Sequence, residues 1–179
     1  SSIRVKNFYK EPTIGKIEFS DGSFIKASEI LNLSLLKESQ GDDIIHMLGD
    51  DDYTINSLGG DDDIITNSGN DYIDGGSGND SIKSGAGDDT IIGGSGNDVL
   101  SGEAGNDTYI FHSNFGNDTI INKDSSNTTT DTIWFKEHSL KDLEFIYKES
   151  SGNLTIKDSS NNSIVIKDFK NDPIDKFIF

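Results

Sequence analysis

Gly75-Gly76-Ser77-Gly78-Asn79-Asp80-Ser81-Ile82-Lys83 is followed by Ser84-Gly85-Ala86-Gly87-Asp88-Asp89-Thr90-Ile91-Ile92, and then by Gly93-Gly94-Ser95-Gly96-Asn97-Asp98-Val99-Leu100-Ser101. The period is nine residues. Asp holds the sixth place of successive units (Asp71, Asp80, Asp89, Asp98, Asp107), and an aliphatic or aromatic residue holds the eighth (Ile73, Ile82, Ile91, Leu100, Tyr109). The frame runs unbroken from Gly60 to Ile110. Self-similarity at a fixed short period is the signature of a repeat architecture. Outside that run the frame loosens. Gly41-Asp42-Asp43-Ile44-Ile45 fits the second half of a unit, and Gly49-Asp50-Asp51-Asp52-Tyr53 fits only after a shift of one residue. Phe111-His112-Ser113-Asn114-Phe115 interrupts the frame, and Gly116-Asn117-Asp118-Thr119-Ile120 is a displaced final unit.

The 179 residues carry 32 acidic against 15 basic side chains, a net charge of -17. Such a charge repels phosphates, which argues against nucleic acid or an anionic membrane as partner and suits cations. Much of the acid recurs in register with Gly and Ile, unlike a solubilising tail. Without Cys, disulfides and thiolate metal sites are excluded. No apolar run approaches the roughly 20 residues of a membrane span.

The flanks read differently. Ile3 to Phe8 alternates as a strand, and Gly15 to Phe19 pairs through the turn Ser20-Asp21-Gly22-Ser23 with Phe24-Ile25. Ser28 is placed to cap a short helix ending at Leu36. Beyond a polar stretch, Asn122 to Thr130, strands are expected at Thr132–Phe135, Leu143–Tyr147, Leu154–Lys157, Ser163–Phe169 and Lys176–Phe179, with a helical turn at Leu140–Leu143. Trp134 is expected in the core of the flanking sheet. Ile3-Arg4-Val5-Lys6-Asn7-Phe8 is echoed by Ile164-Val165-Ile166-Lys167-Asp168-Phe169. The chain therefore reads as one period of a longer array: a segment 1–37, a repeat block 38–121 and a segment 122–179.

The nonapeptide resembles the calcium-binding repeat of the RTX (repeats-in-toxin, haemolysin-type) family. Gly105-Asn106-Asp107-Thr108-Tyr109-Ile110-Phe111 and Asp131-Thr132-Ile133-Trp134-Phe135 resemble that family's end of block and the segment after it. The resemblance implies an all-β fold, a right-handed parallel β-roll in which two nonapeptides form one coil. The eighth-place residues would then stack inward and the seventh and ninth point out. Ile65, Ile92 and Ile110 are uncomfortable outside and are expected to meet a partner or flank. Asp62, Asp80 and Asp98 would line one edge, and Asp71, Asp89 and Asp107 the other.

Calcium takes six to eight oxygens, and Gly lets the turn present its carbonyls at close range. By the resemblance, one site combines Gly76, Gly78 and Asp80 with Gly93, Ser95 and Asp98. A second combines Gly85, Gly87 and Asp89 with Gly102, Ala104 and Asp107, and a third combines Asn67, Gly69 and Asp71 with Ser84, Ala86 and Asp89. Gly60, Gly75, Ser77, Gly94 and Gly96 belong to the same ligand-bearing turns. Asp43, Asp52 and Asp118 are weaker candidates because their units depart from the frame. Several Ca2+ ions in two rows are expected. Repelling carboxylates and a core one side chain wide predict a block disordered without calcium and folded with it.

Catalytic signatures are absent from the sequence. His46, His112 and His138 form no H-E-x-x-H, and there is no G-x-S-x-G, no phosphate-binding Gly loop and no EF-hand loop. The expected function is a non-enzymatic calcium module of a large secreted bacterial protein, a toxin, adhesin or exoenzyme. The resemblance implies export by type I secretion machinery and folding outside the cell. The alternative is an adhesive segment, with a cell-surface receptor or a neighbouring repeat block as partner.

Overall fold

The structure is a computed structural model, and it describes residues 16–18, 24–26, 40–47, 49–123 and 129–179. Tertiary contacts divide the chain into Ser1–Lys37 and Glu38–Phe179. In the first unit, β1 (Lys16–Glu18) and β2 (Phe24–Lys26) pair antiparallel, Ile17 opposite Ile25, as the turn residues between them predict. The strand at Ile3 to Phe8 and the helix ending at Leu36 lie outside the described residues.

The second unit is built from strands of mostly three residues, one for each nonapeptide. They are β3 (Ile44–His46), β4 (Thr54–Asn56), β5 (Asp63–Ile65), β6 (Tyr72–Asp74), β7 (Ser81–Ala86), β8 (Thr90–Ile92), β9 (Val99–Ala104), β10 (Thr108–Phe111) and β11 (Asn117–Ile121). Odd-numbered strands join one sheet and even-numbered strands the other, all parallel. Each strand therefore pairs with the unit two places on: Ile64 opposite Ile82, Ile82 opposite Leu100, Ile73 opposite Ile91, and Ile91 opposite Tyr109. This is the expected all-β parallel roll.

The sheet alternation puts one side chain of each short strand inside. Ile64, Ile73, Ile91, Leu100 and Tyr109 are wholly buried in a single core that continues to Ile45 and Ile55. Each buried aliphatic side chain contributes about 1.5–3 kcal/mol. Register is strict here, because a slip of one residue would turn every Ile outward.

Irregular stretches keep that inward register and place their extra residues in turns. Leu100 pairs with Ile120 across the interruption, and that interruption is no loose loop. It inserts Phe111 and Phe115 into the core, in edge-on contact at 5.3 Å between centroids. The segment after it extends the same sheets. β12 (Thr132–Phe135) adds in parallel to β10, and β16 (Lys176–Ile178) in parallel to β12. β15 (Ser163–Lys167) adds in parallel to β11, and β14 (Asn153–Asp158) and β13 (Leu143–Lys148) follow antiparallel. A 3₁₀ turn, Leu140–Asp142, precedes β13.

Two outward residues behave as expected. Ile92 and Ile110 are buried, in a cleft shared with His112, Ser113 and Asn114 of the interruption. Ile65 stays half-buried. Trp134 does not: it is half-buried and outward on β12, with the Lys136 ammonium over its ring, because Ile133 and Phe135 take the two inward places of that strand.

The turns stack as tightly as the strands. At the fourth place Gly96 has φ +140°, and the carbonyl oxygen of Gly78 stands where a Cβ would be. Two second places are left-handed even with a side chain, Leu58 and Glu103, both at φ 67°. Gly96→Ala is therefore expected to lower stability by at least ~2 kcal/mol, from left-handed strain and the backbone clash together. Ser95→Ala, at a place held by Ala86 and Ala104, should stay within ~0.5 kcal/mol. Denaturant unfolding in calcium compares the two.

Candidate metal centre

The sixth-place Asp residues join the coils through their own backbone. The Asp62 N–H donates to Asp80 Oδ1 at 2.9 Å, the Asp80 N–H to Asp98 Oδ1 at 2.9 Å, and the Asp98 N–H to Asp118 Oδ1 at 2.9 Å. On the other edge the Asp71 N–H donates to Asp89 Oδ1 at 2.8 Å and the Asp89 N–H to Asp107 Oδ1 at 3.0 Å. Two rows of carboxylates result, 18 residues per step in the regular part. All of Asp62, Asp71, Asp80, Asp89, Asp98, Asp107 and Asp118 are at most 2% exposed.

One oxygen of each carboxylate is thereby employed. The other is not: Oδ2 of Asp62, Asp71, Asp80, Asp98 and Asp118 is buried and accepts no hydrogen bond. A buried charged acceptor left this way costs more than the ~1–3 kcal/mol of a neutral one. The energetic consequence appears in the acidities. Burial pushes Asp80 up to about 7, with the charges of Asp98 and Asp62 adding to it and the Asp62 N–H opposing. Burial likewise raises Asp89 and Asp98 to about 6, and Asp118 to about 8.

Main-chain oxygens surround the same turns. The Ser95 N–H donates to the Gly76 carbonyl at 2.8 Å, and the Gly78 N–H to the Ser95 carbonyl at 2.9 Å. The corresponding pairs are Ala86 N–H to Asn67 and Gly69 N–H to Ala86, with Gly87 N–H to Ala104. The Ser57 hydroxyl donates to the Gly75 carbonyl at 2.7 Å and the Ser84 hydroxyl to Gly102 at 3.2 Å. Gly75, Gly76, Ser77 and Gly78 thus lie on the turn that carries Asp80, stacked against the turn of Gly93, Ser95 and Asp98. Gly60, Gly69, Gly85, Gly94, Gly96 and Asn67 hold the equivalent turn positions. Each carbonyl has a second lone pair available to an ion. Among the described residues no three acidic, His or Cys side chains gather at one point. The polar groups available at each step are carboxylates and carbonyls, an all-oxygen set that would suit a hard cation such as calcium. The paired Oδ2 atoms are what such an ion would satisfy.

The weaker candidates separate. Asp118 joins its row despite a step of 20 residues. The Asp43 N–H donates to Asp62 Oδ1 at 2.8 Å, so Asp43 heads that row. Asp52 is a correction. Tyr53 donates its N–H to Asp71 Oδ1 and so occupies the sixth place, while Asp52 Oδ1 accepts from the Asn70 N–H in the fifth. The one-residue irregularity is absorbed before Tyr53, because Ile55 must stay opposite Ile73 in the core.

Two features escaped the repeat pattern. The second row continues past the block: the Asp107 N–H donates to Asp131 Oδ1 at 2.9 Å, and the Asp131 N–H to Asp175 Oδ2 at 3.0 Å. Asp131-Thr132-Ile133 repeats the Asp-x-apolar signature, which is the signal available in the sequence. The fifth place carries its own exposed ladder, Asp61 to Asn79 to Asn97 on one edge and Asn70 to Asp88 to Asn106 on the other. Its signal is an unbroken choice of Asn or Asp at that place.

These features define a parallel roll with stacked carboxylate–carbonyl turns. The family model of the RTX calcium-binding nonapeptide repeat matches residues 54–82, 74–109 and 83–120. Residues 54–120 are thus RTX-type calcium-binding repeats. Among solved structures, the chain is similar to the solution structure of the AlgE6R3 subunit from the Azotobacter vinelandii mannuronan C5-epimerase. Identity is 22%, covering 79% of this chain and 80% of that one, with a TM-score of 0.44. No curated protein matches the chain.

The raised acidities set the sign of a pH response. The folded, calcium-free roll holds protons on Asp80, Asp89, Asp98 and Asp118 more tightly than the unfolded chain does. Its stability from these groups is full below about pH 4 and is lost as pH rises through about 6–8. In chelator, β-structure by circular dichroism should therefore be greater at pH 4.5 than at pH 8, while apparent calcium affinity should rise over the same interval. Chelated protein equally structured at both pH values would contradict the buried-carboxylate picture.

Proposed function

We propose that this chain is a calcium-driven folding module of a larger secreted bacterial protein, with ions held between turns 18 residues apart. The observation that carries the reading is the row of buried Oδ2 atoms without hydrogen-bond donors, repeated once per coil. The ligand sets are those of the sequence: Gly76, Gly78, Asp80, Gly93, Ser95 and Asp98 on one edge. On the other they are Gly85, Gly87, Asp89, Gly102, Ala104 and Asp107, preceded by Asn67, Gly69, Asp71, Ser84 and Ala86. Each internal Asp bridges two ions, giving two rows. The residues 38–121 form the roll, with 1–37 and 122–179 as flanks.

Ion binding is then folding. Extracellular calcium modules bind at about 10⁻⁴–10⁻³ M, so the chain stays unfolded at cytosolic calcium and folds outside. That order suits threading through type I secretion machinery, which the family resemblance supports. Among the described residues no helix is long and apolar enough to cross a membrane. An adhesive role drew its sequence support from outward Ile65, Ile92 and Ile110, and two of these are covered.

Far-ultraviolet circular dichroism with calcium against excess chelator at pH 7.5 tests the reading; equal β content in both would overturn it. Asp80→Ala removes two sites on one edge. Each lost site should lower stability by about 1.4 kcal/mol at a tenfold excess of calcium over its Kd. Asp71 and Asp107 on the opposite edge should keep their ions, as counted by native mass spectrometry.

A further inference from the structure

β16 is the last strand of the six-stranded sheet, and among the described residues no strand pairs with its other edge. The Lys176 N–H donates to the Asp131 carbonyl at 3.0 Å, on the β12 side. Backbone groups alternate along a strand, so the Phe177 N–H and carbonyl point to the open edge. The Phe177 side chain packs against the core and meets Phe145 of β13 edge-on, at 5.7 Å between centroids. Beyond that contact the core lies open. Phe145, Tyr147 and Phe179 are 38%, 48% and 45% exposed, whereas Ile64, Ile91 and Leu100 inside the roll are wholly buried. Outward backbone groups beside exposed apolar side chains make a template for a further strand.

The chain itself contains a strand that fits. Lys176-Phe177-Ile178-Phe179 is echoed by Lys16-Ile17-Glu18-Phe19, just as Ile164 to Phe169 is echoed by Ile3 to Phe8. The echo is also structural, because β1 and β16 are both three-residue strands that start at this Lys. β1 has the partner that β16 lacks. After the turn Ser20-Asp21-Gly22-Ser23, β2 pairs with it antiparallel, Ile25 opposite Ile17 and Phe24 opposite Glu18. Transferred to β16, the same register sets Ile25 opposite Phe177 and Phe24 opposite Ile178. Both pairs are then apolar, where β1 and β2 have one. Directly opposed residues share a face of the sheet, so Ile25 would stand on the inward side with Phe177.

Resting on the reading of this chain as a module of a larger protein, we propose that the open edge of β16 is an interaction surface for the β2-type strand of a second block of this kind. The strand adds antiparallel, takes up the Phe177 backbone groups and lays its middle apolar residue over the open end of the core beside Phe145. What the edge recognises is a short extended segment of the Phe-Ile-Lys type, introduced by a Ser-Asp-Gly turn.

Amide hydrogen exchange of the full chain in calcium, read at Phe177, tests this. In the chain alone the Phe177 amide should exchange faster than that of Ile178, whose N–H alternates back toward β12. Joining a second Ser20–Ser28 segment after Phe179 should slow exchange at Phe177 by at least about tenfold and raise the unfolding midpoint. Ile25→Asp in the joined strand should undo both effects. Exchange unchanged by the joined strand, or protection that survives Ile25→Asp, overturns the proposal. So does a Phe177 amide already protected in the chain alone, by residues 1–37 or by a second whole copy, which sedimentation equilibrium separates. A chain that gains no β-structure on adding calcium defeats the earlier reading instead, and shows it before any strand is joined.

Discussion

The structure depends on like charges stacked at one-coil spacing inside a protein. Adjacent parallel strands lie about 4.8 Å apart, and Asp62, Asp80, Asp98 and Asp118 follow that spacing with buried carboxylates. Two charges at such a distance repel strongly wherever water is excluded. Each carboxylate uses one oxygen to receive the amide of the coil before it, which fixes its position and removes any freedom to escape to solvent. A divalent cation between turns answers the repulsion and the missing hydrogen bond at once. Without one, protonation is the other way to relieve the row, which is why burial lifts Asp80 to about 7 and Asp118 to about 8.

That arrangement explains why the remainder of the roll is so sparse. Ile64, Ile82 and Leu100 form one column and Ile73, Ile91 and Tyr109 the other, a core only two side chains across. Conformational entropy costs about 1–2 kcal/mol per residue for the backbone alone. A nonapeptide offers one fully buried apolar side chain in the inward column against nine residues ordered, so the core alone is a thin source of stability. The turns cannot be relaxed to help, because the Gly78 carbonyl already fills the space of a Cβ on Gly96.

The nonapeptide made the roll, the inward column and the pairing of turns 18 residues apart readable, since each follows from a period and a side-chain alternation. Composition and geometry diverge at the edges of the frame. Asp52 looks like a row member because Gly49 precedes it, yet the core register of Ile55 on Ile73 puts Tyr53 in the row and Asp52 outside it. Asp131 and Asp175 were hidden for the converse reason: their spacings of 24 and 44 residues carry no period, and only the sheet pairing of Ile133 with Tyr109 and Phe177 brings them into line. Residue type alone places Trp134 in the core, but alternation along β12 turns it outward.

A solenoid can lengthen its connections freely so long as the inward side chain returns to register. Here the step along the row grows from 18 residues to 20 and 24, and the 44-residue step to Asp175 contains the hairpin of β13 and β14. As the steps grow, the glycine turns that supply carbonyls disappear. The side chains of Asn122, Asn162 and Tyr109 take over the backbone's partners: Asn162 Oδ1 accepts the Gly116 N–H, and Tyr109 accepts that of Gly102. These side-chain groups are fixed by a wider core, in which Phe111, Phe115 and Phe135 pack together. The change from coils joined through glycine turns to coils joined through side chains therefore follows the widening of the core.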